Sequence, residues 1–361
     1  MYGASRFLTN NLITSSSMIT MSTMSPGWVS GTRKVGTGSA LVSVTGQFTG
    51  TVNTLFFWQI DDVSAGNEIA QATARWKTDQ TASGWEATGV ATSTIDALLE
   101  DAVYIKSIAG TGNDFEDGDY WEFRAIAQYA PGKVLDLKRN TYAKSNAVTT
   151  LNFVVNLGSA KLVTAALLYD HNLTDSATVT LEGNASDSWG APSYSQALTV
   201  AELTPIIEYL SETYQYFRVV ISDSTNTDGF IRVGGLYLGT YTELDSFNGD
   251  WGSTEDFSEI GTEQRNAAGV VAASMYAEQR TVTLPLGLLS NTDYDSLKAI
   301  MQAVRIPSTR ESLPFYFHLF YDVAGSLRLG RFQGALPRSF SFPLYNTSSL
   351  NIEEVVKVDF S

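Results

Sequence analysis

Runs such as TVTL (178–181), YFRVVIS (216–222) and FIRVGGLYLG (230–239) leave this chain little choice but β-structure. Each is short, rich in β-branched or aromatic residues, and bounded by Gly, Asp, Asn or Ser. Such side chains lose rotamer freedom on a helix and pack well on a pleated surface. The bounding residues supply the reversals that join strands. The pattern returns near the C-terminus in RTVTLPL, LPFYFHLFYD, SLRLGRFQG and VVKVDFS. Pro285 and Pro314 fall at run edges, where a missing N–H is tolerated. Charged residues are only 17% of the chain. Its polarity comes instead from Ser, Thr, Asn and Gly, which argues against long solvated helices.

One stretch departs from this pattern. SNTDYDSLKAIMQAVRIP (290–307) spaces Tyr294, Leu297, Met301 and Val304 by three and four residues, which predicts a helix. Ser290 or Thr292 can cap it, acids follow in its first turn, and Pro307 comes soon after the last periodic residue. At 361 residues the chain exceeds one ordinary core. It reads as an N-terminal arm and β-sandwich over 1–131, a linker over 132–148, a second sandwich over 149–242 and an α+β module over 243–361. The last opens on the polar stretch DSFNGDWGSTEDFSEIG. The expected fold class is mainly β: two β-sandwich or jelly-roll domains, then a small α+β C-terminal module with one clear helix.

A net charge of −15 disfavours nucleic acid as a partner. Without cysteine there are no disulfides, thiolate metal ligands or thiol nucleophiles. No run of about 18 apolar residues predicts a membrane span. The N-terminal stretch MYGASRFLTNNLITSSSMITMS is a poor signal peptide, with one Arg and no compact apolar core. It reads as an extended arm carrying Phe7, Leu8, Leu12 and Ile13 into a neighbour or onto its own domain. Lys133, Lys138, Arg139 and Lys144 form a local basic stretch, either a solvated linker or a surface for an acidic partner.

Catalytic patterns are sparse. His171 and His318 are the only histidines, and neither lies in a recognisable base–nucleophile motif. The acids of DFEDGDYWEF (114–123) and LLED (98–101) are the remaining candidates for paired-carboxylate chemistry, with a solvated turn as the plainer reading. DSTNTDGF (223–230) places Ser224, Asn226, Asp228 and Gly229 like part of a calcium loop, but Gly235 stands where the closing Glu belongs. Glycine clusters such as GTGSA lack the following Lys-Ser/Thr of a phosphate loop. The expectation is no enzymatic activity, no cofactor and no metal.

In ARWKTDQTASGWEATGV (74–90), the tryptophans Trp76 and Trp85 flank a polar turn. A hairpin is the simplest reading, with the two rings as cross-strand or core neighbours; ligand stacking is the alternative.

This stretch, with the later DFEDGDYWEFRA, resembles a β-sandwich module of tailed-phage virion proteins, through Trp76, Trp85, Gly118, Asp119, Trp121 and Phe123. The middle segment is similar to the discoidin-like jelly rolls of phage tail proteins. His171, Asn172, Leu173 and Ala177 match one corner, and Asp228, Gly229 and Gly239 match the closing hairpin. The third segment looks more loosely like a C-terminal tail module. The resemblance implies a structural protein of a phage tail or baseplate, located in the virion and made in the bacterial host cytoplasm. Its partners would be copies of itself and other tail proteins. Discoidin-like domains often bind glycans through loop aromatics, so the alternative is a receptor-recognition module taking host-surface glycan on Trp189.

Overall fold

The computed structural model describes residues 5–244, 254–265, 271–306, 308, 311–319, 323, 325–336, 339–342 and 345–355. The fold is mainly antiparallel β, with one α-helix among the described residues. Two compact units form. The smaller is Thr23–Pro131 with Ala143–Asn146; the larger is Met1–Ser22, Gly132–Tyr142 and Ala147–Ser361.

The smaller unit is a sandwich. Its larger sheet runs in the order Trp28–Val29, Tyr120–Ile126, Thr54–Asp62, Thr73–Thr78 and Ala87–Ala91, with Arg33–Val35 also paired to Tyr120–Ile126. Its second sheet runs Leu41–Gly46, Val103–Ile108, Ala97–Leu98. Strict alternation puts Phe56, Trp58, Ile60, Trp76, Trp121 and Phe123 on one buried face. Val42, Val103 and Ile105 of the second sheet share their core. Trp58 sits opposite both Trp121 and Trp76, and Phe56 stacks on Phe123 at 5.0 Å. Each such ring contributes roughly 1.5–3 kcal/mol by burial alone. A one-residue slip would turn them all to water, so the register is strongly specified.

The hairpin read from the sequence is present: Thr73–Thr78 pairs with Ala87–Ala91, and Trp76 faces Ala87. The two tryptophans are not core neighbours, however. Trp76 points into the sandwich, whereas Trp85 precedes the second strand and lies over Arg75 and Lys77. Arg75 and Lys77 alternate with Trp76, so they belong to the opposite face of the sheet.

The larger unit is built on one continuous sheet. Its order is Tyr194–Leu198, Thr178–Asn184, Ile206–Ser222, Leu151–His171, Arg232–Leu244, Ser5–Asn11, Phe315–His318, Leu327–Gln333, Tyr345–Glu354, Val271–Leu289 and Thr254–Arg265. The N-terminal segment is therefore a central strand. It pairs antiparallel with Arg232–Leu244 on one side and with Phe315–His318 on the other. Alternation sends Phe7 and Leu8 to opposite faces. Phe7 enters a core with Leu284, Leu297, Phe315, Phe317 and Phe332; Leu8 enters another with Tyr169, Tyr237, Tyr316 and Leu329. Ile13 is buried as well, and Leu12 is half-buried. Arg6 adds a charged tie to Glu243 at 2.7 Å, with its guanidinium over Tyr209 and Tyr241.

The helix spans Asn291–Ala303. Ser290, not Thr292, is its cap: the Ser290 Oγ accepts from the Asp293 N–H at 3.0 Å. Tyr294, Leu297, Ile300 and Met301 form its buried stripe. Pro285 is not at a run edge. It lies inside Val271–Leu289, opposite Ser349, beyond the point where Thr254 ends the ladder on the other side. With one described neighbour there, the missing N–H leaves an interior position tolerable. Pro307, the approach over 245–253 and all of VVKVDFS after Val355 lie outside the described residues.

Replacing Phe7 with Ala removes a fully buried ring from the strand that joins the two halves of this sheet. The expected loss is about 3–5 kcal/mol, read as a lower midpoint in urea unfolding followed by circular dichroism.

Candidate functional site

The side chains suggestive of chemistry are committed to holding corners. His171 ends a 21-residue strand, just after Asp170 takes a positive φ of 52°. Its Nδ1 accepts from the Leu173 N–H at 3.2 Å, so its Nε2–H donates to the Thr204 carbonyl at 2.7 Å. Both ring nitrogens are used, and burial pushes the pKa below 6.5. Beside it, the calcium-like stretch is a closed hydrogen-bonded loop. Asp223 accepts from the Thr174 N–H at 2.8 Å, the Thr174 hydroxyl at 2.7 Å and the Asn226 amide at 3.2 Å. Asn172 donates to Asp228 at 2.8 Å and accepts from the Arg232 N–H at 2.8 Å. Among the described residues, no group of three or more His, Asp or Glu is placed to hold a metal ion.

The acidic run before Trp121 is not the solvated turn expected of it. Asp114 and Asp119 are buried, at 2% and 3% exposure. Asp119 accepts three backbone N–H bonds, from Thr37 at 2.9 Å and from Gly38 and Glu116 at 3.0 Å each. Asp114 accepts from Gly110 at 2.8 Å and Ile69 at 3.3 Å. Backbone donors compensate these carboxylates for lost water. A Cβ at Gly38 would stand 2.3 Å from the Asp119 carboxylate, so only glycine fits there. His318 is likewise structural: Tyr209 OH and the His318 Nδ1 are 2.9 Å apart, deep against the N-terminal strand.

Trp189 stands half-buried in the loop before Tyr194–Leu198. Its indole N–H donates to Asp187 at 2.6 Å, and the Arg218 guanidinium, paired with Glu182, lies 4.6 Å from the ring centre. Phe7, Leu8 and Ile13 are buried within their own unit, so the arm lies on its own domain in this structure. Leu8, Ile13, Leu137, Val304 and Phe315 help line a cleft of about 340 Å³, with Asn11 and Asp136 among its polar residues. It holds no base–nucleophile pair.

The feature that sequence reasoning missed is at the sheet's far end. Thr254–Arg265 pairs with Val271–Leu289 from Thr254↔Thr283 out to Arg265↔Val271. Tyr345–Glu354 supports Val271–Leu289 only from Thr281 to Leu289. From Phe257↔Arg280 outward, the two strands form a ribbon, roughly 30 Å long, with no third strand among the described residues. Two-stranded ribbons are marginal in water, and a free edge is a template for another chain. Glu255, Asp256 and Phe257 at its base are exposed, with Phe257 at 55%. The sequence signal was present in the paired polar runs TEDFSEIGTEQR and VAASMYAEQR, but weak alternation hid them.

No protein-family model matches the chain, and no curated protein matches it. Among solved structures, it is similar to a GH29 fucosidase from Ruminococcus gnavus in complex with fucose: 10% identity, TM-score 0.27, over 32% of this chain and 23% of that one. A chitosan-binding module of a chitosanase/glucanase from Paenibacillus sp. IK-5 is similar at 19% identity and TM-score 0.25, over 32% of this chain and 88% of that one. An f-lectin from striped bass (Morone saxatilis) serum is similar at 7% identity and TM-score 0.22, over 63% and 86%. The chain thus spans under a quarter of the fucosidase's length. Likeness of this order does not bear on function.

Two outcomes test the structural assignments. Replacing Asp119 with Ala strands three backbone donors and should lower stability by at least about 3 kcal/mol in denaturant melts. The second is a pH profile. His171 has its pKa lowered by burial, so its contribution is full above 6.5 and lost as pH falls through the folded-state value. Burial opposes the Asp223 charge, but the Thr174, Asn226 and Thr225 donors outweigh it and set its pKa below 3.8; its contribution is lost only as pH falls below that. Melting temperature should therefore fall in two steps on acidification, and His171→Gln should remove the upper step alone.

Proposed function

We propose that this chain is a non-enzymatic structural protein that works by assembling with copies of itself, as the resemblance to phage tail and baseplate proteins implies. The observation that carries the reading is the ribbon, whose outer strand has an edge over residues 257–265 that no described strand covers. Strand addition by a second chain completes its ladder and stabilises an element that is marginal alone. Pairing of this edge with the same edge of a second copy is isologous and closes a two-fold dimer. The buried, saturated His171, Asp114, Asp119 and Asp223 fit a role in which polar groups hold loops in place.

The test replaces residues 258–279 with an Asn-Gly turn joining Phe257 to Arg280, which removes the ribbon and leaves the sheet. Native mass spectrometry should find a closed oligomer for the intact chain and a monomer for the shortened one, which should still unfold in one cooperative transition. An intact chain that stays monomeric at high concentration, or a shortened chain that still assembles, defeats the reading. Purified particles should contain the chain at fixed stoichiometry.

A second reading, glycan binding, is favoured by Trp189. Arg218 against the ring and Asp187 at its N–H hold this indole in one orientation before any ligand arrives. Saturable sugar binding that is lost in Trp189→Ala with the fold intact supports it; binding unchanged by that substitution removes Trp189 from the account.

A further inference from the structure

The hairpin Thr73–Ala91 carries a group that neither reading uses. On the outer face of the smaller unit's larger sheet, Arg75 and Lys77 stand two residues apart on one strand. Trp85 covers both: its ring centre is 4.3 Å from the Arg75 Cζ and 5.0 Å from the Lys77 Nζ. Both cations rise from the same face of the sheet, and the indole packs against both of them there. The next strand places Gln59 opposite Arg75 and Phe57 opposite Lys77. Gln59 Oε1 accepts from Arg75 at 2.8 and 3.2 Å, which fixes the guanidinium, and the Lys77 ammonium lies 5.7 Å from the Phe57 ring centre. All five side chains are half-buried.

The chain has 38 acids against 23 Lys and Arg, and ion pairs occupy Arg6, Arg33, Arg218 and Arg331 among others. Arg75 and Lys77 have no carboxylate at ion-pair distance among the described residues; Arg75 rests on a neutral amide. The acids along these strands on the same face are engaged elsewhere: Glu122, opposite Phe57, pairs with Arg33 at 2.6 Å, Asp61 accepts from the Thr73 hydroxyl at 2.7 Å and the Gly89 N–H at 3.1 Å, and Asp79 accepts from the Leu55 N–H at 2.9 Å. Two neighbouring cations without a counter-ion repel each other, and an anion between them relieves that repulsion.

We propose that this face binds an anionic saccharide, its sugar ring stacked on the half-buried Trp85 and its carboxylate or sulfate meeting Arg75 and Lys77. A bare anion would need only the cations. The aromatic plane with an amide and charged groups at its rim suits a ligand that has an apolar ring face and polar edges. Two cations match isolated charges spaced along a sugar chain, but not the dense phosphates of nucleic acid, which a chain of net charge −15 repels. This site is independent of the ribbon and of Trp189.

The experiment is isothermal titration of the full chain with oligogalacturonate and heparin hexasaccharides, with a neutral galactan hexasaccharide and poly-glutamate as comparators. At least one anionic saccharide should bind, and about tenfold or more weakly in Trp85→Ala and in the Arg75→Gln/Lys77→Gln double variant. The neutral sugar should bind at least as weakly as those variants do the anionic one, and poly-glutamate should not compete. Trp85→Phe, which keeps the aromatic plane, should retain most of the affinity and guards against a folding defect in the Ala variant. No binding of either anionic saccharide, affinity unchanged in Trp85→Ala, or equal competition by poly-glutamate, which would mark an acidic peptide site, overturns the proposal.

Discussion

The larger unit depends on one seven-residue strand, Ser5–Asn11. On one side it continues the sheet of the middle segment; on the other it starts the sheet of the C-terminal segment. Without it, Arg232–Leu244 and Phe315–His318 would each present an open edge at the centre of the unit. Phe7 and Leu8 then lock the two faces, because a strand must send adjacent side chains to opposite sides. Pairing of this kind closes a loop of over two hundred residues and so raises the contact order of the fold.

Much of this was legible. The helix over 291–303 follows from the spacing of Tyr294, Leu297 and Met301, and the buried face of Tyr120–Ile126 from the alternation of Trp121 and Phe123. What stayed hidden was long-range partnership. FLTNNLI looks the same whether it inserts into its own chain or a neighbour's, since only the register against 239–244 and 316–318 decides. Trp76 and Trp85 look equivalent in sequence, yet one faces the core and the other covers two cations on the outside. Asp119 reads as a turn acid because its donors, Thr37 and Gly38, lie about eighty residues away.

The polar side chains point to an architecture of closed corners. Asp119, Asp223 and His171 spend their hydrogen-bonding capacity on backbone groups of loops that would otherwise be unsupported. Among the described residues, the outer edge of Thr254–Arg265 has no partner strand, and one indole on the smaller unit rests on two cations. An open ladder and an uncompensated charge pair are both unfinished in the same sense: each is lower in free energy with something added.

Hydrogen–deuterium exchange across a concentration series addresses the central claim most directly. Amides of 5–11 should be protected at every concentration, because their ladder is complete within one chain. Amides of 257–265 should exchange rapidly in dilute solution and become protected as concentration rises and a second chain covers the open edge. Protection of 257–265 that does not change with concentration, or rapid exchange of 5–11, would contradict the account.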